Sequence, residues 1–242
     1  MPPSHLDRLK EYLYRLPGLD GAWIAWHLLR GGKRLDYALL RLRPPPNLFQ
    51  PYPDTVADRY PAAFEYVRAT VGDGADRHLL SFGCSTGEEV FTLRDYFPAA
   101  RITGIDVRPD LIAACRRRPA DPRIAFKVAG TADAESPAGY DAIFAMAVFR
   151  HGDLHLDPPP ARCDRLIRFA DFDRTISGLT RCLKPGGLLV IQHAQFRVAD
   201  TLAGGDFARL LALAAVRGDP VYGPDDRLVG TGRGDGGVYR AP

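Results

Sequence analysis

The chain has 242 residues, of which 46% are hydrophobic and 25% are charged, and its formal net charge is +3. This composition predicts one large folded domain and excludes a disordered or fibrous protein. The arginines are scattered along the chain, so we expect no basic stripe of the kind that binds nucleic acid.

The first part of the chain, residues 1–72, is predicted to form a helical extension. Leucines recur at helical spacing over Leu6–Leu16, and further helices are expected at Ala22–Leu29, Leu35–Leu42 and Ala62–Val71. The prolines between residues 44 and 53 predict a loop before the last of these helices.

From residue 73 to residue 242, short apolar runs alternate with helical patterns. Strands are predicted at His78–Phe82, Arg101–Ile105, Ile124–Val128, Tyr140–Met146 and Leu188–Gln192, and helices at Glu88–Tyr96, Pro109–Arg117, Phe172–Cys182 and Asp206–Arg217. This alternation is typical of an α/β domain with a doubly wound, mostly parallel sheet. A terminal antiparallel hairpin is predicted from Pro220–Val229 and Gly237–Arg240.

A turn of small residues, Gly83-Cys84-Ser85-Thr86-Gly87, lies between the first predicted strand and its helix. Such a turn lets the backbone approach a ligand at the helix amino terminus, although a tight turn that binds nothing is the alternative. A dinucleotide site requires G-x-G-x-x-G, and here Glu88 and Glu89 would also repel a pyrophosphate. The pattern therefore favours a cationic ligand without phosphate and disfavours a dinucleotide reductase.

A second anchor is Asp106, which follows the second strand about twenty residues after the glycine turn. An acid at this place can accept hydrogen bonds from both hydroxyl groups of a ribose. Capping of the next helix is the alternative role.

The segments Gly83–Gly87, Gly104–Asp106, Tyr140–Phe144 and Leu183–Leu189 resemble, in order, the successive motifs of class I S-adenosylmethionine-dependent methyltransferases. The resemblance covers residues from about 77 to 195 and implies a Rossmann-like fold, methyltransferase activity and S-adenosylmethionine as cofactor. The stretch Cys84–Glu89 is also similar to chemotaxis-receptor glutamate methyltransferases. That subfamily is not assigned, because Ala147-Val148 replaces its Asn-containing pair. Ser81 and Ser85 further replace an acid and a glycine that are common in the superfamily.

The resemblance also implies which residues bind the cofactor. Gly83, Cys84 and Gly87 would bracket the methionine moiety, together with Ser85 and Thr86, and Asp106 would bind the ribose beside Val107. The loop Gly130-Thr131-Ala132 would lie beside the adenine, with Asp133 as a partner for its amino group. Met146 and Ala147 would face the sulfonium and the substrate.

His151 is the predicted general base, because it follows the fourth strand and an imidazole accepts a proton near neutral pH. The alternative is a histidine bonded to the backbone. Arg150 could hold a substrate carboxylate or be solvated. The alternating His151, Asp153, His155 and Asp157 run into three prolines, which predicts a loop and no metal site.

Residues 152–169 are predicted to form a lid-like insertion that selects substrate together with the amino-terminal helices and Gln50–Tyr52. The cysteines Cys84, Cys115, Cys163 and Cys182 form no C-x-x-C pair, which predicts reduced thiols. The amino terminus has no signal-peptide pattern and the apolar runs are short, so we expect a cytoplasmic protein without membrane partners.

These patterns predict a methyltransferase acting on an oxygen or nitrogen atom of a small molecule. A protein side-chain carboxyl methyltransferase stays open as an alternative. So does a non-catalytic sensor that binds S-adenosylmethionine or S-adenosylhomocysteine.

Overall fold

The computed structural model describes Leu40, residues 45–213 and residues 217–242. The chain divides into two compact units, Met1–Pro46 and Asn47–Pro242, and the architecture below is that of the second unit. Apart from Leu40, the helices predicted before residue 45 lie outside the described residues. The predicted domain boundary at residue 72 stays a prediction.

The elements alternate as the sequence predicted. The helices are α1 (Pro61–Val71), α2 (Glu88–Tyr96), α3 (Pro109–Arg116) and α4 (Phe169–Cys182). The strands are β1 (His78–Phe82), β2 (Arg101–Asp106), β3 (Ile124–Val128), β4 (Tyr140–Met146), β5 (Leu183–Ala194), β6 (Ala208–Ala212), β7 (Arg217–Tyr222), β8 (Leu228–Arg233) and β9 (Asp235–Arg240).

The main sheet has seven strands in the order β3-β2-β1-β4-β5-β9-β6. Strands β1 to β5 are parallel to one another, whereas β9 is antiparallel to both β5 and β6. The chain runs outward from β1 to β3 and then returns to β4 on the other side of β1. Ligands of such doubly wound sheets bind at this reversal, beyond the carboxyl ends of the strands. The predicted fold class is confirmed.

Strand β4 lies in the middle of the sheet, and all of its residues are buried. Successive side chains leave opposite faces of a strand, so Ile143 packs into one core cluster and Ala142 and Phe144 into the other. Burial on both faces explains why this strand reads as a continuous apolar run. The sheet is therefore a rigid support for the loops that follow β1, β2 and β4.

The helix predicted over Asp206–Arg217 is wrong. Gly204–Asp206 forms a short 3₁₀ turn, and Ala208–Ala212 is the edge strand β6, paired with β9. A short apolar run such as Leu210–Leu213 does not distinguish a helix from a strand by its period. Pairing with β9 determined the outcome, because four of the five residues of β6, all except Leu210, gain a partner distant in sequence.

A terminal antiparallel hairpin is present, but the strands that form it differ from those predicted. Strand β7 pairs with β8 in a separate two-stranded sheet. Gly237–Arg240, predicted to pair with Pro220–Val229, instead forms most of β9 inside the main sheet. The glycine-rich connection therefore carries the chain from the hairpin into the sheet.

The insertion after β4 is anchored to the β7–β8 hairpin. The Cys163 amide donates to the Asp226 carbonyl at 3.0 Å, and the Leu228 amide donates to the Ala161 carbonyl at 3.0 Å. Its lid function stays a prediction. Within the described ranges, no helix is long and apolar enough to cross a bilayer.

Candidate cofactor and acceptor site

The glycine bend after β1 is held in a tight conformation by its own backbone. Gly83 (φ 76°), Ser85 (φ 50°) and Gly87 (φ 88°) all have left-handed backbones, and Gly87 caps the amino terminus of α2. The amides of Gly83 and Cys84 both donate to the carbonyl of Ile105, at 2.8 and 3.0 Å. A Cβ atom on Gly83 would lie 2.6 Å from Val148 Cγ2, so this position has no room for a side chain.

Asp106, at the end of β2, is bonded directly to this bend. Its Oδ2 accepts the Ser85 amide and its Oδ1 accepts the Arg108 amide, both at 2.9 Å. Burial raises the pKa of Asp106, and the two amide hydrogen bonds offset part of that effect. Each oxygen keeps a second lone pair for a ligand hydroxyl.

The bend and Asp106 line one cavity of about 330 Å³ at the carboxyl ends of the strands. Of the cofactor-binding residues predicted from sequence, the cavity lining includes Gly83, Cys84, Ser85, Asp106, Val107, Met146 and Ala147. Ala147 has φ 59°, a conformation that costs a non-glycine residue free energy and is often found at functional sites. The structure thus brings the loops that follow β1, β2 and β4 together around one cavity.

The remaining predicted residues lie behind this lining. Thr86 and Gly87 continue the bend into α2, and Thr131 and Ala132 follow Gly130, which does line the cavity. Ala132 is buried, and its carbonyl accepts a hydrogen bond from Arg181. Asp133 accepts the Thr131 hydroxyl at 2.8 Å. Their predicted contacts with the cofactor stay predictions.

The two glutamates of α2 have different environments. Glu88 pairs with Arg118 at 2.8 Å, away from the cavity lining. Glu89 lines the cavity and accepts the Ser81 hydroxyl at 2.7 Å. Removal from water raises the pKa of Glu89 to about 7, although the Ser81 hydrogen bond acts in the opposite direction. Glu89 therefore contributes a carboxylate that a bound cation would stabilise.

A loop over residues 47–60, which precedes α1, lines the cavity on the other side. Sequence reasoning placed substrate selection at Gln50–Tyr52 but missed Arg59 and Tyr60. The Pro53 carbonyl accepts the Ser85 hydroxyl at 2.9 Å, which joins this loop to the bend. No motif spacing marks such a loop, because its contacts with the bend are long-range.

His151 is buried beside the cavity. Its Nδ1 accepts the Asp153 amide at 3.2 Å, and its own amide donates to Gln195 Oε1 at 2.7 Å. Among the described residues, its neighbours Arg150 and Gly152 line the cavity and His151 does not. The predicted base role of His151 stays a prediction.

Arg150 lies in a polar group formed with residues of β5 and β7. Its Nη2 is 2.7 Å from His155 Nε2, and His155 Nδ1 is 3.4 Å from Asp219. Burial, together with the charge of Arg150, lowers the pKa of His193 to about 4. The same two causes also lower the pKa of His155. The Arg150 guanidinium therefore contacts the neutral imidazole of His155 and lies near that of His193.

Comparison with known proteins relates this domain to methyltransferases. Residues 80–189 match a protein family described as a methyltransferase domain. The chain is 29% identical over 124 residues to a trans-aconitate 2-methyltransferase from an Acidovorax species, covering 51% of this chain and 41% of the relative. It is 30% identical over 157 residues to the enzyme of that name from Methylobacterium nodulans, covering 62% and 54%.

A third relative is a malonyl-[acyl-carrier protein] O-methyltransferase from Acetivibrio thermocellus, 30% identical over 111 residues, covering 46% of this chain and 33% of the relative. The chain thus spans about half or less of the length of these relatives. The matched segment contains the glycine bend, Asp106, β4 and the start of β5. Residues 80–189 therefore match a methyltransferase domain, and this match is consistent with the class I S-adenosylmethionine-dependent superfamily that the order of their motifs predicted.

Proposed function

We propose that this protein transfers a methyl group from S-adenosylmethionine to a small-molecule acceptor. The observation that carries the proposal is the single cavity lined by the Gly83–Ser85 bend, Asp106 and Met146–Ala147. The relatives named for acting on trans-aconitate and on malonyl-[acyl-carrier protein] support a small acceptor group.

The lining fits the charge and shape of this cofactor. S-adenosylmethionine carries an ammonium group, a carboxylate and a sulfonium, but no phosphate. Asp106 would accept the ribose hydroxyls, and Glu89 would lie against the ammonium group, whose charge would return the pKa of Glu89 toward its usual range. Gly83 lets the bend pass close to Val148, which also lines the cavity, where a Cβ atom would lie 2.6 Å from Val148 Cγ2.

The contribution of the chain to the reaction is chiefly alignment. The bound cofactor supplies an electrophilic methyl group, and no acid is needed for the departure of its sulfur. Met146 and Ala147 would hold the acceptor on the side of the sulfonium, and the loop over residues 47–60 would exclude water. Well-oriented reactants of this kind gain about 7–11 kcal/mol over free reactants.

Other predicted roles belong to the same proposal. Thr86 and Gly87 would hold the shape of the bend, and Thr131, Ala132 and Asp133 would lie beside the adenine. His151 would accept a proton if the acceptor were a neutral alcohol or amine, through a movement that brings its ring to the cavity. The free thiols of Cys84 and Cys115, which both donate to the Ser85 carbonyl, support a reducing compartment such as the cytoplasm.

Two measurements test the proposed function. Calorimetry with S-adenosylmethionine, S-adenosylhomocysteine and NADPH should show binding of the first two compounds and none of the third. Incubation with methyl-labelled S-adenosylmethionine and a cell extract should then place label in the small-molecule fraction. Label in protein would favour the side-chain methyltransferase, and binding without any transfer would favour the sensor.

A further inference from the structure

We propose that the acceptor is a carboxylic acid, held by Arg150 and Tyr60 in the cavity and methylated on a carboxylate oxygen. The inference rests on the proposed function and extends it to a substrate class. Four observations support it: an incompletely bonded arginine, an unpartnered tyrosine hydroxyl, the distribution of charge around the cavity, and the protonation needs of the reaction.

Arg150 lines the cavity with part of its hydrogen-bonding capacity unused. Its Nη2 contacts His155, whereas its Nε is buried and has no hydrogen-bond partner among the described residues. No carboxylate in the same part of the chain forms an ion pair with Arg150. An anion that completes the hydrogen bonds of a partly buried guanidinium stabilises it, and the planar fork of the guanidinium matches a carboxylate.

Tyr60 offers a second donor to the same cavity. Its hydroxyl is buried and has no hydrogen-bond partner in the part of the chain that the structure describes, and burial raises its pKa to about 12, so it stays a neutral O–H donor. The Arg59 guanidinium lies 5.3 Å from the centre of the Tyr60 ring. The charges of Arg59 and Arg150 both lower the pKa of Tyr60, which places two cations near this hydroxyl.

Among the described residues, the lining contains the acids Asp54, Asp58, Glu89 and Asp106, and neither Arg59 nor Arg150 forms an ion pair with any of them. Glu89 and Asp106 are assigned to the ammonium group and the ribose of the cofactor, and Asp58 accepts the Tyr96 hydroxyl at 3.0 Å. Arg108, another cation in the lining, is already paired with Asp110 at 2.5 Å. Arg150 and Arg59 therefore remain for an anion, and the acceptor is the second ligand of this cavity.

A carboxylate acceptor also needs no general base, because it reacts in its ionised form. The described lining residues include no histidine and no lysine. An ionised carboxylate oxygen attacks the methyl carbon, the O–C bond forms as the S–C bond breaks, and that bond's electron pair stays on sulfur. The products are a neutral methyl ester and the neutral thioether of S-adenosylhomocysteine, and no proton is transferred.

The first test identifies the bond that forms. The purified protein is incubated with methyl-labelled S-adenosylmethionine and the small-molecule fraction of a cell extract, and the products are treated with alkali. We expect labelled methanol, because methyl esters hydrolyse whereas N-methyl and ether products do not. Alkali-stable label overturns the inference, and so does an absence of transfer in a protein that binds S-adenosylhomocysteine.

The second test assigns Arg150 and Tyr60. Arg150→Gln and Tyr60→Phe should each raise the KM for the acceptor in that extract fraction at least tenfold, with a smaller effect on kcat. Arg150→Lys, which keeps the charge, should recover part of the loss. Arg227→Gln is the control, since Arg227 is a solvent-exposed arginine 3.6 Å from Asp225.

Binding of S-adenosylhomocysteine separates this inference from the proposed function. We expect the Arg150 and Tyr60 variants to bind it with the affinity of the wild type. If the wild type does not bind it, the proposed function fails. If wild type and variants bind it equally and the KM for the acceptor is unchanged, only the carboxylate inference fails.

Discussion

The backbone amide of Ser85 donates a 2.9 Å hydrogen bond to Oδ2 of Asp106. This bond joins the glycine bend after β1 to the end of β2. The positions of these two parts of the predicted cofactor site therefore depend on each other. A change at either residue is therefore expected to affect the other.

Asp106→Ala should weaken the binding of S-adenosylhomocysteine at least tenfold, or about 1.4 kcal/mol. The substitution removes the acceptor for the ribose hydroxyls and releases the Ser85 amide. Calorimetry measures the effect. Asp110→Ala is the control, because Asp110 is a largely exposed acid on the neighbouring helix whose partner is Arg108. If wild type and Asp106→Ala bound S-adenosylhomocysteine with equal affinity, Asp106 would not bind the ribose.

Gly83→Ala should also weaken cofactor binding at least tenfold. The new Cβ would meet Val148 Cγ2 at 2.6 Å, and a left-handed backbone at a non-glycine residue costs about 1–3 kcal/mol. Adding Val148→Ala should restore part of the affinity, because it removes the clash and leaves the backbone cost.

Gly186→Ala is the matched control for this backbone cost. Gly186 has φ 72° and no atom within 4 Å of its would-be Cβ. We expect it to lower the unfolding free energy and leave the affinity for S-adenosylhomocysteine unchanged. If Gly186→Ala weakened binding as much as Gly83→Ala, the close approach of Val148 would not be the cause.

Glu89 makes cofactor binding dependent on pH. Its pKa is raised to about 7, so the carboxylate that would face the ammonium group is fully ionised only above that pH. We expect S-adenosylhomocysteine to bind about tenfold more weakly one pH unit below the pKa. Glu89→Gln should abolish this dependence. 5′-Methylthioadenosine, which lacks the ammonium group, should bind wild type and variant alike, and any other outcome contradicts the role of Glu89.

The same residue affects stability with a defined sign. The pKa of Glu89 is higher in the folded protein than its ordinary value of 4.5, so the folded state loses stability as pH rises from about 4.5 to about 7. The loss is of the order of 3 kcal/mol for a shift of this size. Glu89→Gln should reduce this loss of stability, measured as the difference in unfolding free energy in urea between about pH 4.5 and about pH 7. An equal loss in both proteins would contradict the assignment.

Asp141 should stabilise the sheet at the end opposite the cavity. Its carboxylate accepts Lys184 Nζ at 2.7 Å, the His78 amide at 2.8 Å and Arg77 Nη1 at 3.0 Å. Burial alone would raise the pKa of Asp141, but these hydrogen bonds lower it below the ordinary value. Its contribution is therefore present above about pH 4 and lost as pH falls through the lowered pKa.

Asp141→Ala is expected to lower the unfolding free energy by about 2–3 kcal/mol, less than for a fully buried ion pair because both cationic partners are partly exposed. Asp76→Ala is the control, since Asp76 is largely exposed and 3.9 Å from Arg77. Urea unfolding at neutral pH should show almost no change for Asp76→Ala.

His151→Gln tests the need for a base. If the acceptor is a carboxylate, kcat should stay within about twofold of the wild type, because no proton is transferred. A fall of a hundredfold or more, in the range of general-base catalysis, would support the base role of His151 and a neutral acceptor.

The sequence by itself determined the elements whose signals are local. The βαβ unit, the glycine bend and Asp106 lie within about thirty residues of one another, the span of such a unit. Their backbone preferences and spacing therefore predicted the fold class and located the proposed cofactor site at this bend. Glycines with left-handed backbones and a buried strand such as β4 are specified by residue type alone.

Only the tertiary structure decided the acceptor side. Arg59 and Tyr60 reach the cavity because the Pro53 carbonyl binds Ser85, a contact across 32 positions of sequence. Ala208–Ala212 forms a strand because its backbone pairs with the edge of β9. His151 and Arg150 are adjacent, yet only Arg150 lines the cavity, because packing against neighbouring elements determines where each side chain points. Such contacts depend on distant residues meeting in space, which local preferences and spacing do not encode.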